Sequence, residues 1–249
     1  MAGHSKWANI RHRKGRVDAA RAKTWSKISR AIIAAARAGG GDPVTNLALR
    51  YAIDEAKSEN MPKDTIQRAV DKGAGAGQGE DYEQISYEGY GPAGVALFIE
   101  ALTDNRTRTA GDVRYIFGKH GGNIGNPGSV AFMFQTKGQI LIEASKADEE
   151  QLMELALEAG AEDVEAPESE DGGFTITCEA SDFLGVKEAI EGAGIEMISA
   201  EITKLPDNTV ELSVDDATKL LRLIEAFDDN DDVQKVYHNG QIPEEALSA

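Results

Sequence analysis

The residues best suited to chemistry are cations crowded at the start of the chain. Residues 1–37 contain ten Lys or Arg side chains and a single acid, Asp18. Lysine and arginine neutralise phosphates, so such a cluster is typical of proteins that bind nucleic acid, and less often of proteins that bind an anionic membrane surface or an acidic protein. The first prediction is therefore an anionic partner at this end; a basic surface that merely faces water is the alternative.

The overall charge of the chain hides this cluster. The 249 residues carry a formal net charge of -17, from 26 Lys and Arg against 43 Asp and Glu. Residues 1–72 hold 15 basic and 7 acidic side chains, whereas residues 73–249 hold 11 and 36. A polyanion is repelled by the acidic part, so we expect it to be bound by the N-terminal end. An Arg-rich, acid-poor start also fits an organelle transit peptide, which is a second alternative.

A flexible arm and a helix are predicted to position these cations. Residues 1–16 show neither helical nor strand periodicity and are interpreted as an extended arm. From Asp18 the pattern becomes helical, and Trp25, Ile28 and Ile32 share one face that can pack. The opposite face carries the cations Lys23, Lys27, Arg30 and Arg37.

Two further helices complete a small N-terminal domain, predicted over residues 1–76. Glycines at 39–41 end the first helix, and Asp42 and Pro43 are suited to starting a second helix that runs to about Asn60. A third helix begins at Pro62 and stops near residue 73. The glycine-rich segment 73–79 that follows is interpreted as a linker.

Strands and amphipathic helices alternate after residue 80. Residues 137–204 give the complete order βαββαβ, and the flanking residues 80–136 and 205–240 give two further βαβ pieces, including a strand at about 129–134. The predicted fold is therefore α+β, with an N-terminal three-helix domain followed by two ferredoxin-like α/β domains, one inserted in the other. Residues 241–249 are interpreted as a tail without an assigned role.

The usual signatures of enzymes and metal sites are missing from the sequence. The four histidines are scattered and Cys178 has no CxxC partner, so neither a metal nor a cofactor is predicted. No phosphate-binding P-loop and no GxSxG nucleophile motif occur, and segment 73–79 lacks the third glycine of a dinucleotide fingerprint. The acidic residues at 228–232 do not match a calcium loop and are interpreted as a solvated turn.

Composition also limits where the protein works. One cysteine cannot form an internal disulfide, and no apolar signal segment is found, so a reducing compartment and by default the cytoplasm are predicted. No window approaches the 18 or more apolar residues of a membrane span, so no membrane partner is expected.

Three local features leave their alternatives open. Arg106 and Arg108 are two of the few cations in an acidic region, where they either clamp phosphates or pair with nearby carboxylates. Trp7 either stacks on an exposed base or folds back onto the helices. Phe132 and Phe134 alternate on the strand predicted at about 129–134 and are expected in the core.

Five separated segments resemble the YebC/PmpR family. They are MAGHSKWANIRHRK at 1–14, GGGDP at 39–43, YEGYGPAG at 87–94, LTDNRTRTAGDVR at 102–114 and HGGN at 120–123. The resemblance spans nearly the whole chain, and several unusual segments in the right order make it specific. It implies an N-terminal helical domain followed by two α/β domains, in agreement with the partition predicted from periodicity.

The resemblance also implies a function. Members of that family are cytoplasmic proteins, mostly described as probable transcriptional regulators that bind DNA; mitochondrial relatives activate translation of a cytochrome oxidase subunit. Some bacterial members act on the ribosome and ease synthesis of difficult peptides. The expected function is thus a non-enzymatic, DNA-binding regulator of gene expression. The alternative is a translation factor that binds ribosomal RNA or tRNA on the ribosome and relieves stalled synthesis.

The expected contacts with nucleic acid come from three places. The residues of the opening motif, together with Arg106 and Arg108, are contacts that the resemblance implies. The cations of the first helix are expected contacts because of the helical pattern. The residues are His4, Ser5, Lys6, Trp7, Asn9, Arg11, Arg13, Lys14, Lys23, Lys27, Arg30, Arg106 and Arg108. A third hypothesis, an enzyme or small-molecule sensor built on the α/β domains, stays open because fold does not decide function.

Overall fold

The computed structural model describes residues 17–75, 81–167 and 172–247. N-terminal helices are followed by mixed helices and sheets, which confirms the predicted α+β fold class. The described residues fall into two compact units. The first unit holds those up to Ala131 together with Leu212–Gly240, and the second unit holds Phe132–Glu211 and the residues from Gln241 on. The chain therefore leaves the first unit, builds the second and returns.

The helices and strands are numbered here in chain order. The helices are α1 (Val17–Gly39), α2 (Leu47–Ser58), α3 (Lys63–Ala74), α4 (Arg106–Lys119), α5 (Glu149–Glu158), α6 (Phe183–Gly192), α7 (Val214–Asp228) and α8 (Glu244–Leu247). The strands are β1 (Glu83–Tyr90), β2 (Ala96–Thr103), β3 (Asn123–Ile124), β4 (Phe134–Glu143), β5 (Ala161–Glu165), β6 (Gly173–Glu179), β7 (Ser199–Pro206), β8 (Val210–Glu211), β9 (Val233–His238) and β10 (Gly240–Gln241).

The three N-terminal helices pack as their apolar pattern predicts. Ile28 and Ile32 on α1 are buried in a core shared with α2 and α3, and the indole Nε1 of Trp25 donates to the Glu59 carbonyl at 3.0 Å. Gly73 on α3 allows a close approach to α1, because a Cβ there would lie 2.4 Å from the Ile33 carbonyl oxygen. Helix α1 is thereby fixed with its apolar side inward.

The second helix begins later than predicted. It starts at Leu47, and not near Asp42, because Asn46 caps it by accepting from the Leu49 N–H at 3.1 Å. The Asn46 amide also donates to the carbonyls of Ala35 and Gly40, both at 2.8 Å, so one buried side chain ties the end of α1 to the start of α2. Asparagine is among the best residues at this position.

The first unit contains a four-stranded antiparallel sheet in the order β3-β1-β2-β9. Strands β2 and β3 are both antiparallel to β1 and are therefore parallel to each other. Helix α4 connects them as a crossover that passes over β1, which lies between them in the sheet. Strand β1 was missed in the sequence, since its residues EQISYEGY include few large apolar side chains. The ladder hydrogen bonds with β2 and β3, and not burial on both faces, hold it in the sheet.

The prediction of a strand at about 129–134 is wrong. Residues Ala131–Met133 form a single 3-10 turn, and β4 begins only at Phe134. Because a turn lacks the alternation of a strand, Phe134 is buried but the Phe132 side chain is 74% exposed, which corrects the prediction that both lie in the core.

A buried carboxylate organises the loop before that turn. Glu88 on β1 accepts three backbone hydrogen bonds, from the N–H groups of Gly128 at 2.6 Å, Val130 at 2.7 Å and Ala131 at 2.8 Å. Burial raises the pKa of Glu88, but these three donors outweigh it, so the pKa lies below its ordinary value. The side chain is therefore ionised and acts as an acceptor only.

We expect Glu88→Gln to lower the free energy of unfolding by about 2 kcal/mol, since an amide offers one acceptor oxygen and points N–H groups at N–H donors. Urea unfolding followed by circular dichroism measures this loss. Glu83→Gln on the same strand, where the carboxylate is half exposed, is the control and should change stability by less than about 1 kcal/mol. Equal losses in both variants would contradict the role given to Glu88.

The second unit has the βαββαβ order predicted from the sequence. Strands β4, β5, β6 and β7 form an antiparallel sheet in the order β5-β6-β4-β7, which is the ferredoxin-like arrangement. Ile140, Ile176 and Ile190 are completely buried between this sheet and its helices. The short strands β8 and β10 form a separate pair.

Candidate nucleic-acid interface

The predicted contacts of the arm lie outside the described residues. They are His4, Ser5, Lys6, Trp7, Asn9, Arg11, Arg13 and Lys14. The other five predicted contact residues, Lys23, Lys27, Arg30, Arg106 and Arg108, all lie in the first unit.

The basic face of α1 lies against an acidic loop of the same unit. Lys23 donates to both the main-chain carbonyl and the carboxylate of Asp229, the latter at 3.1 Å. Lys27 donates to the Asp228 carbonyl at 2.8 Å. Helix α7 ends at Asp228, so the carbonyl oxygens that face Lys23 and Lys27 lie at a helix C-terminus, where the intrahelical hydrogen bonds end. The cations of α1 thus meet both carboxylates and main-chain oxygens.

Arg30 continues this contact at the other end of the loop. Its guanidinium donates to the Asp231 carbonyl at 2.7 Å and to the Asp232 carboxylate at 3.2 Å. The segment 228–232, interpreted from the sequence as a solvated turn, is therefore the acidic partner of α1; we call it the acidic loop. The interpretation holds for Asp228, Asp229 and Asp231, which are exposed at a turn, but not for Asp232, which is buried. The opposite charges of the two segments were the only sequence signal for their pairing.

The contact changes the chemistry of Lys27. Burial lowers the pKa of its ammonium from 10.5 to about 8, and the charge of Asp228 only partly offsets this. Lys27 is therefore still mostly cationic at neutral pH but loses its proton at a lower pH than an exposed lysine does.

Asp232 is the centre of a hydrogen-bond network. Its buried carboxylate accepts from Thr103 at 3.2 Å, Thr109 at 2.9 Å and Arg108 at 2.7 Å, in addition to Arg30. Burial raises the pKa of Asp232, but the bonds from Arg108 and Thr109 outweigh it, so the pKa lies below its ordinary value. The network connects α1 with β2 and the first turn of α4.

The arginines of the 103–109 segment are paired with carboxylates. Arg106 contacts Glu83 at 3.0 Å, and Arg108 contacts Asp104 at 2.8 Å besides Asp232. Hydrogen bonds to these acids raise the pKa of Arg108. The structure shows the second of the two alternatives for Arg106 and Arg108, pairing with nearby carboxylates. Each guanidinium would therefore have to leave its carboxylate before it could bind a phosphate.

A cleft opens beside Asp232 within the first unit. It is lined by Arg30, Tyr82, Asp104, Arg108, Asp112 and residues 229–232. Charged and polar side chains make up this lining, whereas pockets for small organic ligands are mostly apolar. Its two guanidinium groups are bonded to the acids described above, so the cleft belongs to the same network.

The single cysteine of the chain does not have the properties of a nucleophile. Cys178 is buried on β6, and burial raises the pKa of its thiol to about 11, which disfavours the thiolate that a nucleophile needs. Residues 17–75, 81–167 and 172–247 contain no group of three or more His, Cys, Asp or Glu side chains arranged to hold a metal ion. Over the same part of the chain, no helix has both the length and the apolar character required to cross a bilayer.

Sequence comparison covers almost the entire chain. Residues 5–76 match the family model described as the TACO1/YebC protein N-terminal domain, and residues 82–240 match the TACO1/YebC second and third domain. The chain is 53% identical to a probable transcriptional regulatory protein of Rubrobacter xylanophilus, over 100% of this chain and 98% of the relative. A protein of the same description from Persephonella marina is 51% identical, over 99% and 98% of the two chains.

A solved structure agrees with these matches. The fold is similar to the crystal structure of a conserved hypothetical protein from Aquifex aeolicus, with a TM-score of 0.80 and 44% sequence identity over 92% of this chain and 93% of the other. The resemblance predicted from five sequence segments is thereby confirmed. The chain belongs to the TACO1/YebC family.

Proposed function

We propose that this protein is a non-enzymatic, nucleic-acid-binding regulator of gene expression that acts on DNA in the cytoplasm. The observation that carries the proposal is the segregation of charge: ten cations and one acid in residues 1–37 of a chain whose net charge is -17. The names of its relatives, probable transcriptional regulatory proteins, support the same class of function. The buried free thiol of Cys178 suits a reducing compartment.

The contacts of α1 suggest a division of labour among the cations. Lys23, Lys27 and Arg30 are engaged by the acidic loop, whereas residues 6–16 supply five more cations. A phosphate backbone would compete with the acidic loop for α1, whereas residues 1–16 contain five cations and no acid in the sequence. We therefore propose the arm as the primary contact and α1, Arg106 and Arg108 as contacts that require an exchange of partners.

Removing charge from the acidic loop tests this competition. We expect Asp228→Asn/Asp229→Asn/Asp231→Asn to raise affinity for a DNA duplex by about 2- to 5-fold, because it removes the Lys23–Asp229 ion pair and the negative charges of Asp228 and Asp231 near Lys27, and an exposed pair contributes about 0.2 to 1 kcal/mol. The log-log salt slope should steepen by about 1, because Lys23 loses its carboxylate partner whereas the main-chain carbonyls that bind Lys27 and Arg30 remain. Asp232 is left intact because it stabilises the fold. Fluorescence anisotropy at several salt concentrations measures both quantities.

The control for this variant carries the same change in charge on α5. Glu150→Gln/Glu154→Gln/Glu158→Gln alters three exposed acids of the second unit and should have a smaller effect on affinity. If both triple variants bind equally, the acidic loop has no specific part in masking α1 and only net charge matters.

The function itself is tested by binding at different salt concentrations. Gel retardation of duplex DNA should show a salt slope near about -6 if about seven phosphates are neutralised. A flat slope, or no retardation at low salt, would overturn the electrostatic proposal.

A second candidate function is a ribosome-associated translation factor that binds structured RNA and relieves stalled peptide synthesis. The charge of residues 73–249, which hold 36 acids and 11 cations, favours this candidate. A long duplex would repel this acidic part of the chain, whereas the repulsion is weaker where only the N-terminal end of the protein meets RNA. Sedimentation with ribosomes at the same salt concentrations discriminates the two. Co-sedimentation that persists where duplex binding is lost would favour the ribosome.

A further inference from the structure

The outward face of α4 carries an exposed aromatic ring between cations. The Tyr115 side chain is 66% exposed, and the Lys119 ammonium lies 5.6 Å from the centre of its ring. Arg114, the preceding residue, is also exposed. On a helical wheel this face is opposite Val113, Ile116 and Phe117, which are buried against the rest of the first unit.

These two cations differ from most others of the acidic part of the chain. Residues 81–247 contain 11 Lys and Arg, and at least seven of them form ion pairs. The seven are Arg106, Arg108, Lys137, Lys146, Lys187, Lys219 and Lys235. Arg114 and Lys119 form no ion pair with any described residue, although acids greatly outnumber bases in this region. Their charges are available to an anion without an exchange of partners.

Two glycines lie on the same face as these side chains, Gly111 one turn before Arg114 and Gly118 beside Lys119. Gly111 and Gly118 have ordinary helical backbone angles, and a Cβ built on either would meet nothing within 4 Å. Glycine is less favourable than alanine inside a helix, so neither packing nor turn geometry in the described structure accounts for it here. Absence of a Cβ does allow another backbone to approach the helix closely at this point.

We propose that Gly111, Arg114, Tyr115, Gly118 and Lys119, together the α4 face, form a second contact surface for a nucleic-acid strand. Phosphates pair with Arg114 and Lys119, the sugar-phosphate backbone lies over the two glycines, and an unpaired base stacks on Tyr115. This inference rests on the proposed function and deepens it, because it adds a site that can hold a strand already bound by the arm. Arg106 and Arg108 lie in the same helix but are already paired with carboxylates.

The charge of the site is tested by Arg114→Ala/Lys119→Ala in the full-length protein. With a labelled single-stranded oligonucleotide, we expect about 10-fold weaker binding and a salt slope reduced by about 1.4, the value for two phosphates on a single strand. DNA and RNA oligonucleotides of one sequence are compared to identify the source of the strand. Lys146→Ala, an exposed cation of the second unit, is the control and should bind within 2-fold of the unaltered protein.

The ring and the glycines have separate tests. Tyr115→Ala should weaken binding of the single strand more than that of a duplex, while Tyr115→Phe should bind as the unaltered protein does. Gly111→Ala/Gly118→Ala should raise the melting temperature by roughly 2–4 °C per residue and yet weaken binding by several-fold. Gly185→Ala on α6, also an exposed helical glycine, should not weaken binding. A purely structural role cannot produce greater stability together with weaker binding.

The outcomes separate this inference from the proposed function. If variants of the arm lose binding while all variants of the α4 face bind normally, the α4 face is not a nucleic-acid site and the proposed function stands. If the unaltered protein binds no nucleic acid, both fail. If the variants of the α4 face lose only an acidic protein partner, the site exists for another ligand and the proposal is overturned.

Discussion

Lys6→Glu/Arg11→Glu/Arg13→Glu is expected to weaken binding to nucleic acid by at least about 100-fold. Each phosphate contact contributes to counterion release, and reversal replaces three attractions with three repulsions. The salt slope should fall by about 3 as three contacts disappear. Anisotropy titrations of duplex DNA and of structured RNA at several salt concentrations measure the affinity and the slope. This is the largest effect on binding that we expect.

The variant of the arm needs a control for net charge and for folding. Lys57→Glu/Lys63→Glu/Lys72→Glu makes the same change in charge on exposed residues of α2 and α3, and should weaken binding much less. Both variants should keep the circular dichroism spectrum and the melting temperature of the unaltered protein. Binding that survives in the arm variant, or is lost equally in both, would refute the arm as the primary contact.

Asp232→Asn is expected to lower the free energy of unfolding by about 3 kcal/mol. The Asp232 side chain is 7% exposed and accepts from Thr103, Thr109, Arg30 and Arg108. An amide presents N–H groups where donors already point. It also leaves Arg30 without its acid and Arg108 with Asp104 alone, and removing one partner is the costly way to break a buried ion pair. Urea unfolding followed by circular dichroism measures the loss.

The neighbouring acid provides a close control for Asp232. Arg30 contacts the main-chain carbonyl of Asp231, so Asp231→Asn keeps that hydrogen bond and should lower the free energy of unfolding by less than about 1 kcal/mol. Losses of similar size in the two variants would show that stability depends on the negative charge of the loop in general. The network around Asp232 would then not be the source of stability.

The pH dependence of the Asp232 effect follows from its pKa. Because the pKa in the folded protein lies below the ordinary value of 3.8, the folded state holds the ionised form more firmly than the unfolded state does. The stability contributed by Asp232 is thus fully present above about pH 4 to 5 and is lost as pH falls through its folded pKa. The difference between Asp232→Asn and the unaltered protein should be constant from pH 5 to 8 and shrink below about pH 4.

Local patterns in the sequence were sufficient for most of the helices and for one of the two four-stranded sheets. The apolar spacing of Ile28 and Ile32 determined which side of α1 is buried, and glycines at 39–41 determined where it ends. The second unit has the predicted βαββαβ order. These features depend on residues a few positions apart, where backbone geometry relates spacing directly to structure. Strand β1 was not predicted, because its pairing with β2 and β3, and not its own apolar content, makes it a strand.

For the candidate interface too, some features could be predicted from the sequence and others only from the tertiary structure. The concentration of cations in residues 1–37 and the family motifs are properties of the sequence by itself. Only the tertiary structure decided that Lys23, Lys27 and Arg30 meet the acidic loop, about 200 positions further along the chain. Periodicity relates residues within one element, whereas an ion pair between distant segments depends on where folding places both of them. For that reason the sequence determined which charges this protein has, and the fold determined which of them remain available to a partner.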